Sequence, residues 1–440
     1  MKKQRFVICG LSLRGIYHFV LPLIGKNTDG GPNFTNQAEL VGILDIDQKR
    51  VEEFQKKLGL QIPSYRADAV NQMIKETRPD VLIAVGPDVT HCEYIVAGLE
   101  AGCDVISEKP MVINSEQVRR VQAAEKKSGR TVRVAHNYRY GPIPKALKRL
   151  ILNGKLGRII NIEFTYNLDT CHGSSYFYRW NRDRTMSGGL SIHKCCHHFD
   201  LINWLVGDVP AELCAFGGLN YYGANGLLRP RDAHGQPLSP AEEKRKCRVF
   251  QKFYTDRLDP ESSEMSTGWD GLKLPYDVQY PPEKRRYIYD DAIQIEDTYN
   301  AIVRYQGGAT MSYSCNFCTP WEGYILAING TEGRIEVSHR TDSDPTGKMS
   351  SAPEIGLITF YPLFRGKEVI EVPPVAGGHG GADFLIRDDL ILGPSAESKE
   401  LQLVCGSEAG ANAIAMGEAV WRSIQEHRSI SIPGLLAGKY

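Results

Sequence analysis

Apolar residues come in short runs up to about residue 135, and stretches with helical periodicity separate these runs. A short apolar run is typical of a parallel strand that is buried on both faces. The predicted strands are Arg5 to Cys9, Glu39 to Asp45, Asp80 to Val85, Cys103 to Ser107 and Thr131 to His136. The predicted helices are Val51 to Leu58, Ala69 to Thr77, His91 to Ala101 and Ser115 to Ser128. Strands that alternate with helices in this way form a doubly wound parallel sheet, as in Rossmann domains.

The second part of the chain has a different pattern, because strand-like segments follow one another without helices between them. These segments are Arg158 to Leu168, Ile293 to Tyr305, Thr310 to Cys315, Tyr324 to Ile328 and Gly333 to Val337. Consecutive strands without crossover helices favour a mainly antiparallel sheet. Two helices accompany it, Gly189 to Val206 and Ala409 to His427. We therefore predict an α/β chain: a Rossmann domain over residues 1–140 and an α+β domain with a large open sheet over residues 141–440.

Residues from about 217 to 291 interrupt the second pattern. This stretch is rich in Tyr, Arg, Lys, Pro and Gly, lacks clear periodicity and is too long for an ordinary connection. One interpretation is a surface excursion or an oligomer contact. The other is a lid or a wall that shapes the substrate site, since long loops with aromatic residues often cover active sites.

The length of 440 residues exceeds what one hydrophobic core usually organises, in agreement with two domains. The 52 basic and 52 acidic side chains cancel. A surface with balanced charge offers no electrostatic attraction to nucleic acid or to an anionic membrane. The expected partner is a small molecule.

The N-terminus has the basic start and apolar run of a signal peptide, but the run is short and leads directly into a glycine-rich turn. No apolar run approaches the ~20 residues that span a bilayer. The eleven cysteines are odd in number and scattered, which suits a reducing compartment better than a disulfide framework. We therefore expect a cytoplasmic protein.

A candidate phosphate cradle lies between Gly10 and Gly15, directly after the first strand and at the start of a helix. The first glycine permits a tight turn, the last allows close packing of helix and strand, and backbone N–H groups hold a pyrophosphate. Leu13 and Arg14 complete the segment. Ser12 stands where the pattern usually has a glycine, and it is small enough for close approach.

Asp45 ends the second predicted strand, where a carboxylate accepts the hydroxyls of the adenosine ribose and repels a 2′-phosphate. It favours NAD over NADP. Asp45 lies farther from the cradle than the usual gap of about 20 residues, and a turn-rich insert at Lys26 to Gln37 accounts for the excess. The segment Gly86 to His91, with Pro87, follows the third predicted strand on the same sheet edge, where its backbone and the His91 imidazole could line the nicotinamide ribose. The alternative is a plain helix cap by Asp88 or Thr90.

Lys109 follows the apolar run Cys103 to Ile106, in the motif Ser107-Glu108-Lys109-Pro110. A lysine at the end of a buried strand, next to a dinucleotide site, can handle the proton of a substrate hydroxyl. Glu108 would hold the lysine in position or help to bind the cofactor.

On a continuous helix, His193, His197, Asp200 and Trp204 share one face, because they are spaced by four, three and four residues. Polar residues in such a stripe suit a pocket better than a core. Two histidines near Cys195 and Cys196 also suggest zinc. However, the cysteines point away from the histidine face, no glutamate lies between the histidines, and Cys315 to Cys318 is a single CxxC, so we expect no metal site.

Four features occur in a fixed order along the chain: the N-terminal fingerprint, Pro87 and His91, Glu108-Lys109-Pro110 and the Gly-Gly-x3-His-x3-His-x2-Asp segment. With this combination the chain resembles the Gfo/Idh/MocA family of sugar and polyol oxidoreductases. The resemblance covers nearly the whole chain. It implies a Rossmann domain and a second domain that binds substrate, forms homodimers or homotetramers through its open sheet and has a C-terminal helix that packs back. It also implies oxidation of a secondary alcohol of a sugar, glycoside or polyol with NAD or NADP.

The resemblance implies roles for individual residues. Lys109 matches the lysine that contacts the reacting hydroxyl, and His197 matches the catalytic histidine. Family members commonly have aspartate where this chain has His193, so the acid–base assignment between His193 and His197 stays open. Asn137 and Arg139 match positions near the nicotinamide and substrate, and His379, in a glycine-rich turn found in glycoside-acting relatives, could approach the substrate.

Together these arguments define two overlapping sets of residues. The cofactor set contains Gly10, Ser12, Leu13, Arg14, Gly15, Asp45, Pro87, His91, Glu108, Lys109, Asn137 and Arg139. The substrate set contains Lys109, Arg139, His193, His197 and His379. Lys109, His197 and His193 are the catalytic candidates.

Three functions follow from this interpretation. The first is an NAD-dependent dehydrogenase, in which His197 takes the hydroxyl proton while Lys109 polarises the oxygen. The second is a glycosidase that retains NAD and cleaves by transient oxidation at C3, elimination, water addition and hydride return, with a tyrosine at position 176, 178, 221, 222 or 299 as the extra acid–base group. The third is a non-catalytic regulator, which the presence of both Lys109 and His197 disfavours.

Overall fold

The computed structural model describes residues 2–239, 242, 245–246, 287–342, 355–376 and 378–440. Most of the predicted 217–291 insert lies outside these residues, and its suggested role stays a prediction. Among the described residues, no helix is both long and apolar enough to cross a membrane.

The described strands of the first sheet are β1 (Gln4–Cys9), β2 (Ala38–Leu44), β3 (Ser64–Tyr65), β4 (Val81–Ala84), β5 (Asp104–Ser107), β6 (Val132–Val134) and β15 (Cys405–Gly406). Their order is β15-β6-β5-β4-β1-β2-β3. The predicted parallel sheet is confirmed for β1 to β6, which pair in parallel. The sequence did not reveal β3 or β15, and β15 comes from the C-terminal part of the chain and pairs antiparallel with β6.

Helices cover this sheet, and several begin and end at the residues that favour helix termini. They are α1 (Leu13–Gly15), a wider π turn (Ile16–Val20), α2 (Leu21–Leu23), α3 (Gln48–Leu58), α4 (Val70–Thr77), α5 (Asp88–Glu100) and α6 (Ser115–Ser128). Asn114 caps the N-terminus of α6 by accepting a hydrogen bond from the backbone of Gln117, and Gly129 ends the helix in the left-handed region at φ 67°. Every residue of β4 is buried, which explains its unbroken apolar sequence.

The second sheet has the described strands β7 (Ile159–Asp169), β8 (Pro210–Gly218), β9 (Thr298–Tyr305), β10 (Thr310–Thr319), β11 (Trp321–Gly330), β12 (Gly333–Asp342), β13 (Gly356–Pro362), β14 (Glu368–Val372) and β16 (Ile430–Ser431). Their order is β14-β13-β12-β11-β7-β10-β9-β8-β16. All described neighbours pair antiparallel except β10 and β7, which confirms a mainly antiparallel sheet. Buried and exposed residues alternate along β9, so one face of the sheet packs and the other is open.

The remaining described helices pack on the covered face or join the two sheets. They are α7 (Pro142–Leu152), α8 (Thr170–Ser175), α9 (Arg184–Ser187), α10 (Leu190–His193), α11 (Cys196–Val206), α12 (Ala382–Leu392), α13 (Ala396–Leu401), α14 (Ser407–Glu426) and α15 (Ile432–Leu436), and there are 3-10 turns at Asn137–Tyr140 and Trp180–Arg182. The long helix α14 contacts both parts of the chain. Its Glu418 accepts a hydrogen bond from the backbone of Ser115, while its Ser423 accepts one from the backbone of Ala215.

One prediction about a helix was wrong. The segment Gly189 to Val206 is not one continuous helix, because Lys194 and Cys195 form a turn between α10 and α11. The Cys195 N–H reaches back to the Leu190 carbonyl at 3.0 Å, one residue farther than in an α-helix. His193 and His197 therefore do not lie on a single straight stripe.

Candidate active site

The glycine-rich turn has the geometry that a pyrophosphate requires. Gly10 has φ +109°, and a Cβ there would lie 2.6 Å from the backbone nitrogen of Gly86. Two chain turns thus touch at the carboxyl edge of β1 and β4, and only glycine fits between them. Ser12 accepts a hydrogen bond from the Gly15 N–H at 3.1 Å and donates one to the Val85 carbonyl at 3.2 Å. The serine therefore caps the helix and ties the turn to β4.

Asp45 lies directly after β2, beside this turn. Its Oδ2 accepts a hydrogen bond from the Leu11 N–H at 2.6 Å, and its Oδ1 accepts one from the Asp47 N–H at 2.8 Å. Both oxygens also have further lone pairs for a ligand hydroxyl. Asp45 thus helps to build the turn, and its predicted role at the ribose stays a prediction.

His91 lies in the interior, between two carbonyl groups. Its ring nitrogens contact the Pro110 oxygen at 2.8 Å and the Gly86 oxygen at 2.9 Å. His91 is 1% exposed. It links the turn after β4 to the segment after β5, and in this buried position it does not itself line a ribose site as predicted. Pro87 is the residue before α5 and has no side-chain capping role.

A charged network links the cofactor turn to the C-terminal part of the chain. Arg14 donates to Glu108 at 2.7 Å and to Asp383 at 3.1 Å. Asp383 also accepts hydrogen bonds from Asn137 at 2.9 Å and contacts the His379 Nδ1 at 2.8 Å. These contacts hold the pKa of Asp383 well below its usual range, against the effect of burial. The predicted residues Arg14, Glu108, Asn137 and His379 therefore lie together.

Lys109 extends from this edge toward the second part of the chain. Its Nζ donates to the backbone carbonyl of His193 at 3.3 Å, and its own N–H donates to the Glu108 carboxylate at 3.1 Å. Lys109 thus lies between the cofactor turn and the segment that carries both candidate histidines.

His193 is held on both sides. Its Nδ1 lies 2.5 Å from an oxygen of Asp88, and its Nε2 lies 3.2 Å from the Asn181 amide nitrogen. Burial raises the pKa of Asp88, and burial, together with Lys109, lowers the pKa of His193 well below its usual value. Both shifts favour the uncharged form of the group concerned. Sequence reasoning had considered Asp88 only as part of a helix cap and had not considered Asn181.

His197 lies on the next helix in a different environment. Its ring stacks on Tyr138 with centroids 4.2 Å apart and meets His136 edge to face at 5.7 Å. Its Nδ1 is buried and makes no hydrogen bond to a described residue. Burial and the nearby Lys109 lower the pKa of His197 well below its usual value, so the ring is neutral.

Arg139 does not join the two histidines. It forms a bidentate ion pair with Asp200, with contacts of 2.8 Å and 2.5 Å, and it also donates to the backbone carbonyl of Gln402 at 3.2 Å. Arg139 is 5% exposed and Asp200 is 1% exposed. This pair links the turn after β6 to α11, so its geometry is that of a structural link, with its donors committed away from a ligand.

A second polar cluster at the site was missed by the sequence reasoning. Lys194 donates to the Tyr138 hydroxyl at 3.2 Å, and that hydroxyl lies 3.1 Å from the hydroxyl of Tyr166. Glu322 contacts Nδ1 of His172 at 2.9 Å, and Nε2 of His172 lies 2.9 Å from the Tyr176 hydroxyl. Of its members only Tyr176 was named from the sequence, and it lies four residues after His172; the others are far apart in the chain, and no spacing pattern connects them.

Two groups of possible metal ligands occur among the described residues. One is Cys195, His198 and Cys315, which brings the single CxxC close to a helix cysteine; the other is His136, Asp200 and Cys405. In the first group His198 Nδ1 already contacts the Tyr313 hydroxyl at 2.8 Å, and in the second group Asp200 is bound by arginine. Neither group needs an ion to complete these contacts, and the expected absence of a metal stays a prediction.

The residues at the sheet edge fit a dinucleotide. Gly10 lets the turn after β1 pack against Gly86, and the first helix begins directly after this turn, at Leu13. Asp45 supplies a carboxylate at the end of the neighbouring strand. Gly10, Ser12, Gly15 and Asp45 would hold the cofactor.

Fold and site together define a two-domain oxidoreductase with a Rossmann cofactor domain. The oxidoreductase family's NAD-binding Rossmann profile matches residues 5–136, and its C-terminal alpha/beta domain profile matches residues 148–432. The chain belongs to the Gfo/Idh/MocA family, which confirms the resemblance and the predicted fold class.

Relatives and solved structures agree with this assignment. The chain is 42% identical over 442 residues to a Bacillus subtilis protein named "Putative oxidoreductase YteT", covering 98% of each chain. It is 29% identical over 124 residues to D-glucoside 3-dehydrogenase from Escherichia coli, covering 28% of this chain and 34% of that protein. The structure of a levoglucosan dehydrogenase in complex with NADH and levoglucosan has the same fold, with TM-score 0.64, 16% identity and coverage of 98% of this chain and 100% of that chain.

Proposed function

We propose that this protein is an NAD-dependent dehydrogenase that oxidises a secondary hydroxyl of a sugar, glycoside or polyol. The observation that supports this most is the position of Lys109, which reaches the His193 carbonyl at 3.3 Å from the edge that carries the cofactor turn. Lys109 thus lies between the proposed cofactor site and the segment that carries His193 and His197. The carboxylate of Asp45 supports NAD over NADP, because it would repel a 2′-phosphate.

Each residue of the proposed active site has its own role in the oxidation. Bound NAD supplies the hydride acceptor. Lys109 donates a hydrogen bond to the substrate oxygen and stabilises negative charge on it. His197 accepts the hydroxyl proton at Nε2, because its Nδ1 is sealed in the interior. Both ring nitrogens of His193 are engaged, by Asp88 and Asn181, so His193 lies beside the site without a ring nitrogen for the hydroxyl.

Replacing Lys109 with alanine tests this proposal. Turnover of a sugar substrate should fall about 10²–10⁴-fold, as for loss of a group that acts in the transition state. NAD affinity, measured by fluorescence titration, should stay nearly constant because Lys109 does not belong to the phosphate turn. Unchanged turnover would rule out the assignment.

Lys155 provides a matched control. It lies outside the site, near the ring of Phe360 at 5.8 Å. Lys155→Ala should leave turnover and NAD affinity within about twofold, since surface substitutions usually change little. A large effect of this control would point to a general loss of stability.

The second candidate function is an NAD-retaining glycosidase, and one observation favours it. Tyr176 contacts His172, which in turn contacts Glu322, so the tyrosine hydroxyl has a histidine and a carboxylate behind it. Its ring lies edge to face with His193 at 5.5 Å. Such a chain can move a proton to or from Tyr176. A sugar that is oxidised at C3 would need this extra group to lose the neighbouring proton and eliminate its glycosidic substituent.

Tyr176→Phe separates the two candidates. In the glycosidase, this variant should lose cleavage of a nitrophenyl glycoside while it still oxidises C3 and forms enzyme-bound NADH, because oxidation does not need the tyrosine. The wild type should retain NAD through purification and release no net NADH. Stoichiometric NADH without cleavage would establish the dehydrogenase instead.

We also propose that the open face of the second sheet is covered by another copy of the chain. Ile302, Phe216 and Ile325 are 59%, 73% and 42% exposed on neighbouring or nearby strands of this sheet. Large exposed apolar side chains in a contiguous sheet face mark an interface. A homodimer or homotetramer in light scattering is the expected result, and Ile302→Lys should shift it toward the monomer.

The cysteines support a cytoplasmic location, which is likewise a proposal. All ten described cysteines are free thiols, and most of them are buried. Unpaired thiols in this number suit a reducing compartment. Localisation of a tagged chain by cell fractionation tests it.

A further inference from the structure

The Lys194 side chain is buried at the edge of the site without a carboxylate partner among the described residues. The residue is 6% exposed, and its hydrogen bond to the Tyr138 hydroxyl is 3.2 Å long. The rings of Tyr138 and Tyr166 lie 5.8 Å and 5.3 Å from the Nζ atom. An ammonium has three N–H donors, so this contact leaves two of them for another partner. A buried charge is costly unless it is paired.

Lys194 lies beside the candidate catalytic residues His193 and His197. It follows His193 directly in the turn between α10 and α11. The Tyr138 ring that it contacts stacks on His197 at 4.2 Å. After burial and Lys109, the charge of Lys194 is also among the causes that lower the pKa values of His193 and His197. Lys194 is therefore next to His193 in the chain and separated from His197 by one tyrosine ring.

The acidic group of this cluster is already engaged. Both oxygens of Glu322 contact His172, at 2.9 Å and 3.1 Å, and one of them lies 3.4 Å from the Tyr166 hydroxyl. Glu322 interacts with Lys194 only over a longer distance. Lys109 likewise forms no ion pair through its ammonium with a described residue. The site thus presents two lysine ammonium groups that lack a directly bound anion.

We propose that Lys194 binds the carboxylate of an acidic sugar, so that the substrate is a uronate or uronide and not a neutral hexoside. This inference rests on the proposed function, because it takes Lys109 and His197 as the groups that meet the reacting hydroxyl. A carboxylate accepts hydrogen bonds from the two remaining N–H groups of the ammonium, which completes the pairing. A phosphate has more oxygens and more charge than a carboxylate, so the two remaining N–H groups of Lys194 satisfy it less completely while Lys109 meets the reacting hydroxyl.

Matched sets of methyl glycosides test the proposal on the wild-type protein with NAD. Each set contains the hexoside, the uronide, the uronamide and the 6-phosphate of one sugar configuration. We expect kcat/KM from NADH absorbance to be about ten- to a hundredfold higher for the uronide than for the uronamide, as for a hydrogen bond to a charged group. Equal values, or a preference for the hexoside or the 6-phosphate, would overturn the proposal.

Two variants assign the preference to the lysine. In Lys194→Met the ratio of kcat/KM for uronide over uronamide should fall to about one, while Lys194→Arg should retain most of it because it keeps the charge. NAD affinity and melting temperature report whether each variant is folded. A loss of the same size for both sugars in Lys194→Met would mean that the lysine acts only in the structure, and the proposal would fail.

Calorimetry distinguishes this inference from the proposed function. If no sugar yields NADH or cleavage, but the uronide binds more tightly than the uronamide, the proposed function fails and the carboxylate site stands. If sugars are oxidised but uronide and uronamide bind and react equally, the proposed function stands and the carboxylate site fails.

Discussion

Two regions of the candidate site are built in different ways: the cofactor turn at Gly10 to Gly15, and the cluster of side chains around His193, His197 and His172, named the wall. In the turn, backbone groups of neighbouring residues form the site, from the positive φ of Gly10 to the Ser12 cap on Gly15. In the wall, side chains from distant parts of the chain meet: Asp88 contacts His193, and Glu322 contacts His172. A site made of backbone depends on a local motif, whereas a site made of side chains depends on how the domains pack.

This difference predicts that substitutions in the two regions should have separable effects. Changes in the turn should act on NAD affinity, and changes in the wall should act on turnover. Single substitutions in each region test whether NAD affinity and turnover change separately.

The largest effect should come from the wall. His197→Ala removes the proposed proton acceptor, and we expect kcat to fall about 10²–10⁴-fold because general base catalysis contributes that much. NAD affinity should change by less than about twofold. The exposed His234 gives the control, since His234→Ala should leave both quantities unchanged. A parallel loss of NAD affinity in His197→Ala would break the separation of the two regions.

The next effect should come from the turn. In Gly10→Ala the new Cβ would lie 2.6 Å from the Gly86 nitrogen, so the two turns must separate and NAD affinity should fall by about a hundredfold or more. Gly102→Ala is the matched control: its φ is also positive, at +84°, but a Cβ there meets nothing within 4 Å. It should cost only about 1 kcal/mol of stability. Equal losses of affinity would show that backbone strain alone is responsible.

Asp88 tests whether the wall depends on contacts between domains. Asp88→Asn removes the carboxylate that lies 2.5 Å from His193, so the imidazole loses its fixed orientation. We expect kcat to fall about tenfold to a hundredfold, less than for loss of an acid–base group. Thr90→Val on the same turn of α5 provides the control, because the Thr90 hydroxyl bonds the Pro87 carbonyl and the Tyr94 side chain and not a candidate catalytic group. Full activity in Asp88→Asn would remove Asp88 from the site.

The smallest effect is a pH dependence of stability. The pKa of His198 lies well below its usual value in the folded protein because of burial, while in the unfolded chain it is about 6.5. Below that pH the unfolded state binds more protons, so the free energy of unfolding should decrease as the pH falls from about 6.5. In His198→Gln the slope should be shallower by up to about 1.4 kcal/mol per pH unit. Urea unfolding at several pH values measures this slope, and an unchanged slope would contradict burial of a neutral His198.

Much of the fold could be predicted from the sequence. The strands Asp104–Ser107 and Ala38–Leu44 and the helix Ser115–Ser128 were predicted within a residue or two of their observed bounds, because apolar runs and caps are local signals. The strand Cys405–Gly406 was not predicted, since two residues carry no periodicity and its pairing with β6 is a long-range contact.

In the candidate site, too, neighbouring residues could be predicted from the sequence and long-range contacts could not. The neighbours Glu108 and Lys109 were predicted together, and the structure places them between the cofactor turn and the histidines. Arg139 was expected near the substrate, but its ion pair with Asp200 binds the two parts of the chain together. A charged residue that is buried in a salt bridge and one that binds a ligand look the same in a sequence.

By itself the sequence determined two sheets of different kinds, a cradle for a dinucleotide and the lysine and histidines that point to oxidoreductase chemistry. Only the tertiary structure decided that the helix breaks at Lys194, that Asp88 holds His193 and that the Lys194 ammonium lies beside the site without a carboxylate partner among the described residues. The two kinds of feature differ in how far apart in the chain the interacting residues lie. Strand burial, glycine turns and helix caps are set by neighbours in the chain, while the pairing of buried charges is set by whichever side chains the packed domains bring together.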